Sequence, residues 1–558
     1  MMSDPGRILS TTQRNLCGRL LETASRMGDH PALLANGGRG GEQLSYAQLA
    51  QLVRKLAAGV QSTEFNSVTH IGILSQNCPE WCVAYLAILG AGKTVVPIDV
   101  NLKQAEINHI IEDARLNVVF VSPDRENDLH LAYPHVRLIS FESVGQNSWT
   151  RILGNPSQEL APAAEAAVMI YTSGATGASK VVLLTHDNLL ANLEGVEPSL
   201  EFGSTDRFLS VLPLHHTFEG TCGFLTPLAN GATIIYARSL KSKEILEDIS
   251  TNQITIMCGV PLLFEKMYHG ILRKIEQAPI HRRLIFHTLF FLSGLGWRLG
   301  RKWGKSLFRP VRQRAGIDSI RMFVSGGAPL PPSIARFFNL FGIDFLQGYG
   351  LTECSPVVAV NRPHDIEFGS VGVPLPNLEI KIDHPDELGV GEILVKGPSV
   401  MAGYHNNPRE TAAAIVDGWM HTGDLGRWRD NHLWITGRKK NVIVSAAGKN
   451  IYPEELEEKL LASPFISEVV VFGRRKDGRQ GEEVRAIVVP DLEQYRSHFG
   501  WEKGSEDGNV IEKDIAMTIE SVNSHLSDYK RIIGYDIQYE ELEKTSTKKI
   551  KRFVYSPR

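Results

Sequence analysis

The chain has 558 residues, 43% hydrophobic and 22% charged, with a formal net charge of −3. At roughly 150 residues per domain that length asks for several units, and so balanced a charge gives no global electrostatic case for nucleic acid. Six cysteines, at 17, 78, 82, 222, 258 and 354, include no C-x-x-C pair, so neither a zinc site nor a disulfide framework is expected and the thiols are read as reduced.

The opening stretch, MMSDPGRILSTTQRN, is polar and mixed, unlike a secretory signal. No run of about 18 apolar residues follows it, so a cytoplasmic protein is expected. Strands are expected at HIGILS, TVVPI and NVVFVS, with helices at PEWCVAYLAILGAG and INHIIEDA between them. The alternation returns at ATIIYA, ITIMCGV and IRMFVSGG. Strand–helix alternation of this kind predicts an α/β architecture with mostly parallel sheets. The segment 284–297, LIFHTLFFLSGLGW, is apolar but too short to span a bilayer, and a basic run follows it with no Asp or Glu from 277 to 317. From about 370 the strands become short and punctuated by Gly and Pro, which predicts an antiparallel β subdomain. A last segment from 437 carries its own helices, at PEELEEKLLAS and DIAMTIESVNSHLS, and strands at EVVVFG and VRAIVVP. The expected division is therefore 1–436, a large N-terminal domain, and 437–558, a small α+β C-terminal domain.

The stretch YTSGATGASK at 171–180 sets four serine and threonine hydroxyls, two glycines and one lysine between apolar runs. Glycine lets backbone N–H groups approach an anion closely, and hydroxyls add donors. A polyphosphate suits this chemistry, although the P-loop spacing G-x-x-x-x-G-K-[ST] is not met. On these ten residues alone a plain Ser/Thr/Gly surface loop stays open.

Further along come FVSGGAPL (323–330), QGYGLTECSP (347–356), HTGDLG (421–426), GRKKNVIVSAAGKNIYPEELE (437–457) and KTSTKKIKR (544–552). With YTSGATGASK they resemble, in order and over essentially the whole chain, the adenylate-forming superfamily of acyl-CoA synthetases, luciferases and peptide-synthetase adenylation domains. The resemblance implies that a carboxylate attacks the α-phosphate of ATP and that the acyl group then passes to a thiol. It implies phosphate contacts from Thr172, Ser173, Gly174, Thr176, Gly177 and Lys180, with Mg²⁺ on Glu353, a hard carboxylate of the kind that ion prefers. Thr352 would bond the α-phosphate. Tyr349, Gly327 and Ala328 would form the adenine slot, and Asp424 with Arg438 would take the ribose. Lys549 would be the catalytic lysine, Lys440 the hinge of a mobile C-terminal domain, and Gly448 a border of the pantetheine path of CoA. His216 in LPLHHTFE would stand beside the acyl carboxylate. Without the resemblance, Lys549 is one of five basic residues in a tail that reads as solvated, and His216 reads equally well as a core histidine.

Some positions depart from the pattern. Ala175 replaces a hydroxyl residue, Ser179 a proline, Val181 a glycine, and Lys548 the glycine before the catalytic lysine. These leave open a catalytically silent nucleotide- or lipid-binding relative. LPLHHTFE, SGGAPL and GKNIYPEELE look most like the long-chain fatty acyl-CoA synthetases, so a fatty acid, ATP and CoA are the expected substrates. An acyl carrier protein as acceptor, and a product that stops at acyl-AMP, are the alternatives. The basic loop GRRKDGR (473–479) suits either CoA phosphate or an acidic carrier. The apolar and basic region 284–314 is expected to touch the inner membrane surface peripherally.

Overall fold

The computed structural model describes residues 15–35, 43–157, 159–172, 180–446, 448–475, 481–544 and 550–555. They fall into two compact units. The larger draws on Met1–Thr172, Ser179–Glu379 and Val395–Met420, and the smaller on Ile380–Leu394 and His421–Arg558.

Two mixed sheets organise the larger unit. In the first, the strands Asp344–Gly350, Met322–Ser325, Ile256–Gly259, Arg207–Ser210, Thr233–Tyr236 and Pro31–Leu34 lie side by side and parallel. Antiparallel strands close both of its edges. In the second, Val168–Thr172, Thr94–Ile98, His70–Leu74, Val118–Val121 and Arg137–Ser140 run parallel, and Lys180–Leu184 turns back antiparallel on Val168–Thr172. Parallel strands need covered faces, and the helices carry the matching local signals. Pro79, Pro261 and Pro332 each open a helix at its first turn, where the missing N–H has no intrahelical partner to lose. Thr185 and Asn188 form a reciprocal capping box at the start of His186–Leu200, closing two otherwise open donors.

A phenylalanine-rich core lies against the first sheet: Phe264, Phe308, Phe323, Phe338 and Phe341 are all under 2% exposed. Among them Phe264 meets Phe345 edge-on at 4.9 Å, a favoured geometry because ring edges and faces carry opposite partial charge. A Val/Ile/Leu core fills the second sheet.

In the smaller unit, Ile466–Arg475 and Glu482–Pro490 pair antiparallel, and Gly534–Ile537 adds in parallel. The helices Pro453–Leu461 and Gly508–Ser524 bury Leu456, Leu460, Ile511 and Ile515 against that sheet. No helix among the described residues is long and apolar enough to cross a membrane.

Candidate active site

Thr172 ends one strand of the larger unit and Lys180 begins its antiparallel neighbour. The two are register partners, and the Thr172 hydroxyl donates to the Lys180 carbonyl at 2.9 Å. The intervening Ser173, Gly174, Thr176 and Gly177, with Ala175 and Ser179, lie outside the described residues. The Lys180 ammonium donates to Glu410 Oε2 at 2.6 Å and stands 4.9 Å from the centre of the Tyr404 ring. The Tyr404 hydroxyl in turn donates to Glu353 Oε1 at 2.9 Å. The expected phosphate lysine and the expected metal carboxylate are thus joined through one aromatic side chain. The bond from Lys180 holds Glu410 below the usual carboxylate range. Burial, with Glu353 beside it, pushes the Tyr404 phenol up, so it remains a donor.

Thr352 and Glu353 sit in a short helical turn, Thr352–Cys354, directly after the strand that ends QGYG. A side chain at Gly350 would meet the Pro356 carbonyl at 2.0 Å, so only glycine lets the chain double back there. Tyr349 is half-buried, while Gly327, at φ +84°, and Ala328 lie exposed on their loop. Thr352 Oγ1 lies 3.2 Å from Thr217 Oγ1, which ties this turn to the LPLHHTFE segment.

That segment borders an apolar pocket with walls from Tyr85, Val168, Ile170, Leu184 and Leu214, and His215 and His216 are among its lining. The two histidines differ. His215 faces buried Asp99 at 3.5 Å, and burial pulls its imidazole down against that carboxylate. Glu219, one turn further, is 1% exposed; its Oε1 accepts from the Ser210 hydroxyl at 2.6 Å, and Oε2 finds no hydrogen bond among the described residues. Burial pushes Glu219 up to about 8, so it is a neutral acid at pH 7.

In the smaller unit Asp424 and Arg438 are register partners across a hairpin, and Arg438 Nε lies 3.0 Å from Asp424 Oδ1. Asp424 is 8% exposed, and the guanidinium fixes the position of its carboxylate. Glu392 braces the same hairpin. It accepts from Gly423 N at 3.1 Å and from Lys439 Nζ at 2.8 Å, and His421 Nδ1 lies 3.4 Å away. Burial opposes its charge, but the Lys439 and His421 contacts win and hold Glu392 low. Lys440 lies in the turn Lys439–Asn441 that follows. Gly448 has φ +73° and open space where a side chain would project, so the backbone itself demands glycine there.

Lys549 lies outside the described residues, but the ends of its segment are anchored. Lys544 and Ile550 form a β-bridge, Lys544 pairs with Glu468, and Arg552 pairs with buried Glu457. Two cations of the basic tail are therefore held in ion pairs. Burial raises Glu457 to about 7 even with Arg552 beside it.

Tyr404, Glu410, Glu392, Asp99 and His215 were not expected from sequence. Glu410 is 230 positions from Lys180, and no local pattern links the two. Among the described residues no three His, Cys, Asp or Glu side chains converge to hold a metal on their own. Glu353 still fits Mg²⁺. Tyr404 fixes one carboxylate oxygen and leaves a hard donor in the other, and Mg²⁺ is commonly held by one or two carboxylates with phosphate oxygens and waters.

The family model described as AMP-binding enzyme matches residues 20–405, and that for the AMP-binding enzyme C-terminal domain matches 455–549. A long-chain-fatty-acid–CoA ligase of Mycobacterium bovis is 30% identical over 554 residues, 91% of this chain and 89% of its own. An indoleacetate–CoA ligase of Aromatoleum aromaticum is 32% identical over 469 residues, 80% of this chain and 83% of its own. The crystal structure of ATP-bound MatB from Rhodopseudomonas palustris, 23% identical, shares the fold with a TM-score of 0.77 over 97% of this chain and 98% of its own. The chain belongs to the AMP-binding enzyme family, as an AMP-forming acid–thiol ligase that works with ATP, Mg²⁺ and CoA.

Proposed function

We propose that the protein activates a long-chain fatty acid as acyl-AMP and transfers the acyl group to CoA. The carrying observation is the apolar pocket behind His216, whose lining reaches Thr352 through the Thr217–Thr352 contact. That arrangement sets the apolar walls of Val168, Ile170, Leu184 and Leu214 beside the proposed carboxylate position, which suits an acid whose hydrocarbon begins next to its carboxylate.

In the first step a carboxylate oxygen attacks the α-phosphorus and the bond to the bridging oxygen breaks, releasing pyrophosphate. Both reactants are anions, so fixed cations and donors are what the site must supply. Lys180 and the Thr172–Gly177 segment hold the outer phosphates, and Thr352 donates to an α-phosphate oxygen. His216 orients the carboxylate, and Lys549 sets a cation between carboxylate and α-phosphate. Tyr349, Gly327 and Ala328 seat adenine, and Asp424, fixed by Arg438, accepts from the ribose hydroxyls. Glu353 would hold Mg²⁺, which when bound would supply positive charge against the phosphate oxygens. In the second step the thiol sulfur bonds to the acyl carbon, AMP leaves and the thiol proton passes to solvent. For that step we assign Lys440 as the pivot of a domain beginning at 437, and Gly448 as a border of the thiol path.

Two narrower readings have their own support. Tyr85, wedged between Trp81 and Phe224 at 5.2 and 5.4 Å, gives the pocket an aromatic wall, which favours an aryl acid like that named for the Aromatoleum relative. Exposed Arg474 and Arg475 suit an acidic carrier protein as acceptor as well as they suit a phosphate of CoA. The test is kcat/KM across fatty acids of graded length and aryl acids, with CoA and with acyl carrier protein. The proposal expects a maximum among long saturated chains with CoA; a maximum among aryl acids, or turnover with carrier protein alone, overturns it.

A further inference from the structure

The helix Ile280–Arg298 is apolar on both sides, and the protein covers only one. Phe286, Leu289 and Phe290 pack on the phenylalanine core, the Ser293 hydroxyl donates to the Leu340 carbonyl at 2.7 Å, and Trp297 stacks on Phe368 at 5.3 Å. With 3.6 residues per turn, Ile280, Leu284, Phe291 and Leu295 form a stripe along the opposite side, and Leu299 extends it. These five are 73, 63, 72, 43 and 62% exposed. A helix that is apolar all round is ordinarily buried, so an uncovered stripe of this length calls for an occupant.

The surrounding charge says which. Arg283 and Arg298 lie on the same outward side and Arg301 follows, all exposed, in a stretch from 277 to 317 without one Asp or Glu. Lys302 and Lys305 are committed to Asp344, and Arg309 and Arg312 to Asp318, whereas Arg283, Arg298 and Arg301, exposed like Arg282 and Arg314, flank the apolar side where an external anion would lie. A second copy docked by two-fold symmetry would set this arginine-bearing face against itself. An anionic lipid surface satisfies both halves at once, because apolar side chains enter the acyl boundary while guanidinium groups meet headgroup phosphates. The helix cannot cross a bilayer and would lie in its plane.

We propose that Ile280–Leu299 is an in-plane docking surface for anionic membrane. The inference stands on this face alone and does not depend on which acid is activated. The full chain is floated with vesicles of phosphatidylcholine alone and of phosphatidylcholine with phosphatidylglycerol. Binding to the anionic vesicles is expected, weakening as salt is added. The pair Phe291→Ser with Leu295→Ser, and separately Arg283→Gln with Arg298→Gln, should each lower the partition coefficient roughly tenfold or more. Circular dichroism and turnover of a short, water-soluble acid should stay unchanged in both. Failure to bind anionic vesicles overturns the proposal, as does binding that neither pair alters. A concentration-dependent dimer that Phe291→Ser abolishes also overturns it, by showing that a second copy covers the stripe.

Discussion

Lys180, the lysine proposed to hold phosphate, and Glu410 form an ion pair of 2.6 Å. On the proposed assignment of Lys180 to phosphate, incoming ATP would draw the ammonium away from that carboxylate. Both side chains are more than a third exposed, where such pairs contribute about 0–1 kcal/mol. Glu410→Gln should therefore lower KM for ATP by up to about fivefold and leave KM for the acid unchanged. Lys180→Ala should raise KM for ATP by tenfold or more. Steady-state kinetics with ATP varied checks both, and a rise in KM for ATP in Glu410→Gln would contradict the assignment of Lys180.

Tyr404 carries the next link. Tyr404→Phe keeps the ring beside Lys180 but removes the donor to Glu353. A hydrogen bond to a charged group is worth about 1.5–3 kcal/mol; here it orients the carboxylate proposed for Mg²⁺. The half-saturating free Mg²⁺ should rise several-fold at saturating ATP, with little change in KM for the acid. A titration of rate against free Mg²⁺ reads this directly, and an unchanged midpoint would detach Tyr404 from the metal site.

How much of this was legible in sequence depends on whether the signal was local. The parallel strands and the separate C-terminal helices follow from short-range pattern, and the structure has them. Asp424 and Arg438 were each singled out by motif, but their pairing depends on a hairpin register that motifs do not state. Glu410 with Lys180 and Glu392 with Lys439 were not legible, because tertiary packing joins residues that no spacing connects. The helix at 280–298 hid its orientation, since apolar residues on all sides erase the periodicity that would name the buried face.

Glu219 shows a further limit, since nothing in LPLHHTFE marks its glutamate as buried. With a native pKa near 8 and an unfolded value of about 4.3, it binds a proton in the folded chain that the unfolded chain has lost. Below about pH 4 both forms are protonated and there is no penalty. From there to about pH 8 the unfolded state gains as pH rises, and above pH 8 the penalty is constant. Glu219→Gln retains an acceptor for Ser210 and removes the titration. Its melting temperature should exceed that of the parent clearly at pH 8 and little at pH 5. An advantage of equal size at both pH values would show that ionisation is not the cause.

The two half-reactions separate Lys549 from Lys440. Lys549→Ala should abolish acyl-AMP formation and leave thioester formation from supplied acyl-AMP largely intact. Lys440→Pro, which fixes φ at the proposed pivot, should do the reverse. Pyrophosphate release and acyl transfer measured separately decide it; equal loss of both in each variant would contradict a division of labour between them.

The most direct test of the central claim is mass spectrometry of the products formed from ATP, Mg²⁺ and a ladder of fatty acids, with and without CoA. Acyl-CoA that forms only with CoA, with acyl-AMP seen in its absence and a maximum at long chains, is the predicted result. Acyl-AMP that persists unchanged when CoA is added, or the lack of both products from every acid, would contradict it.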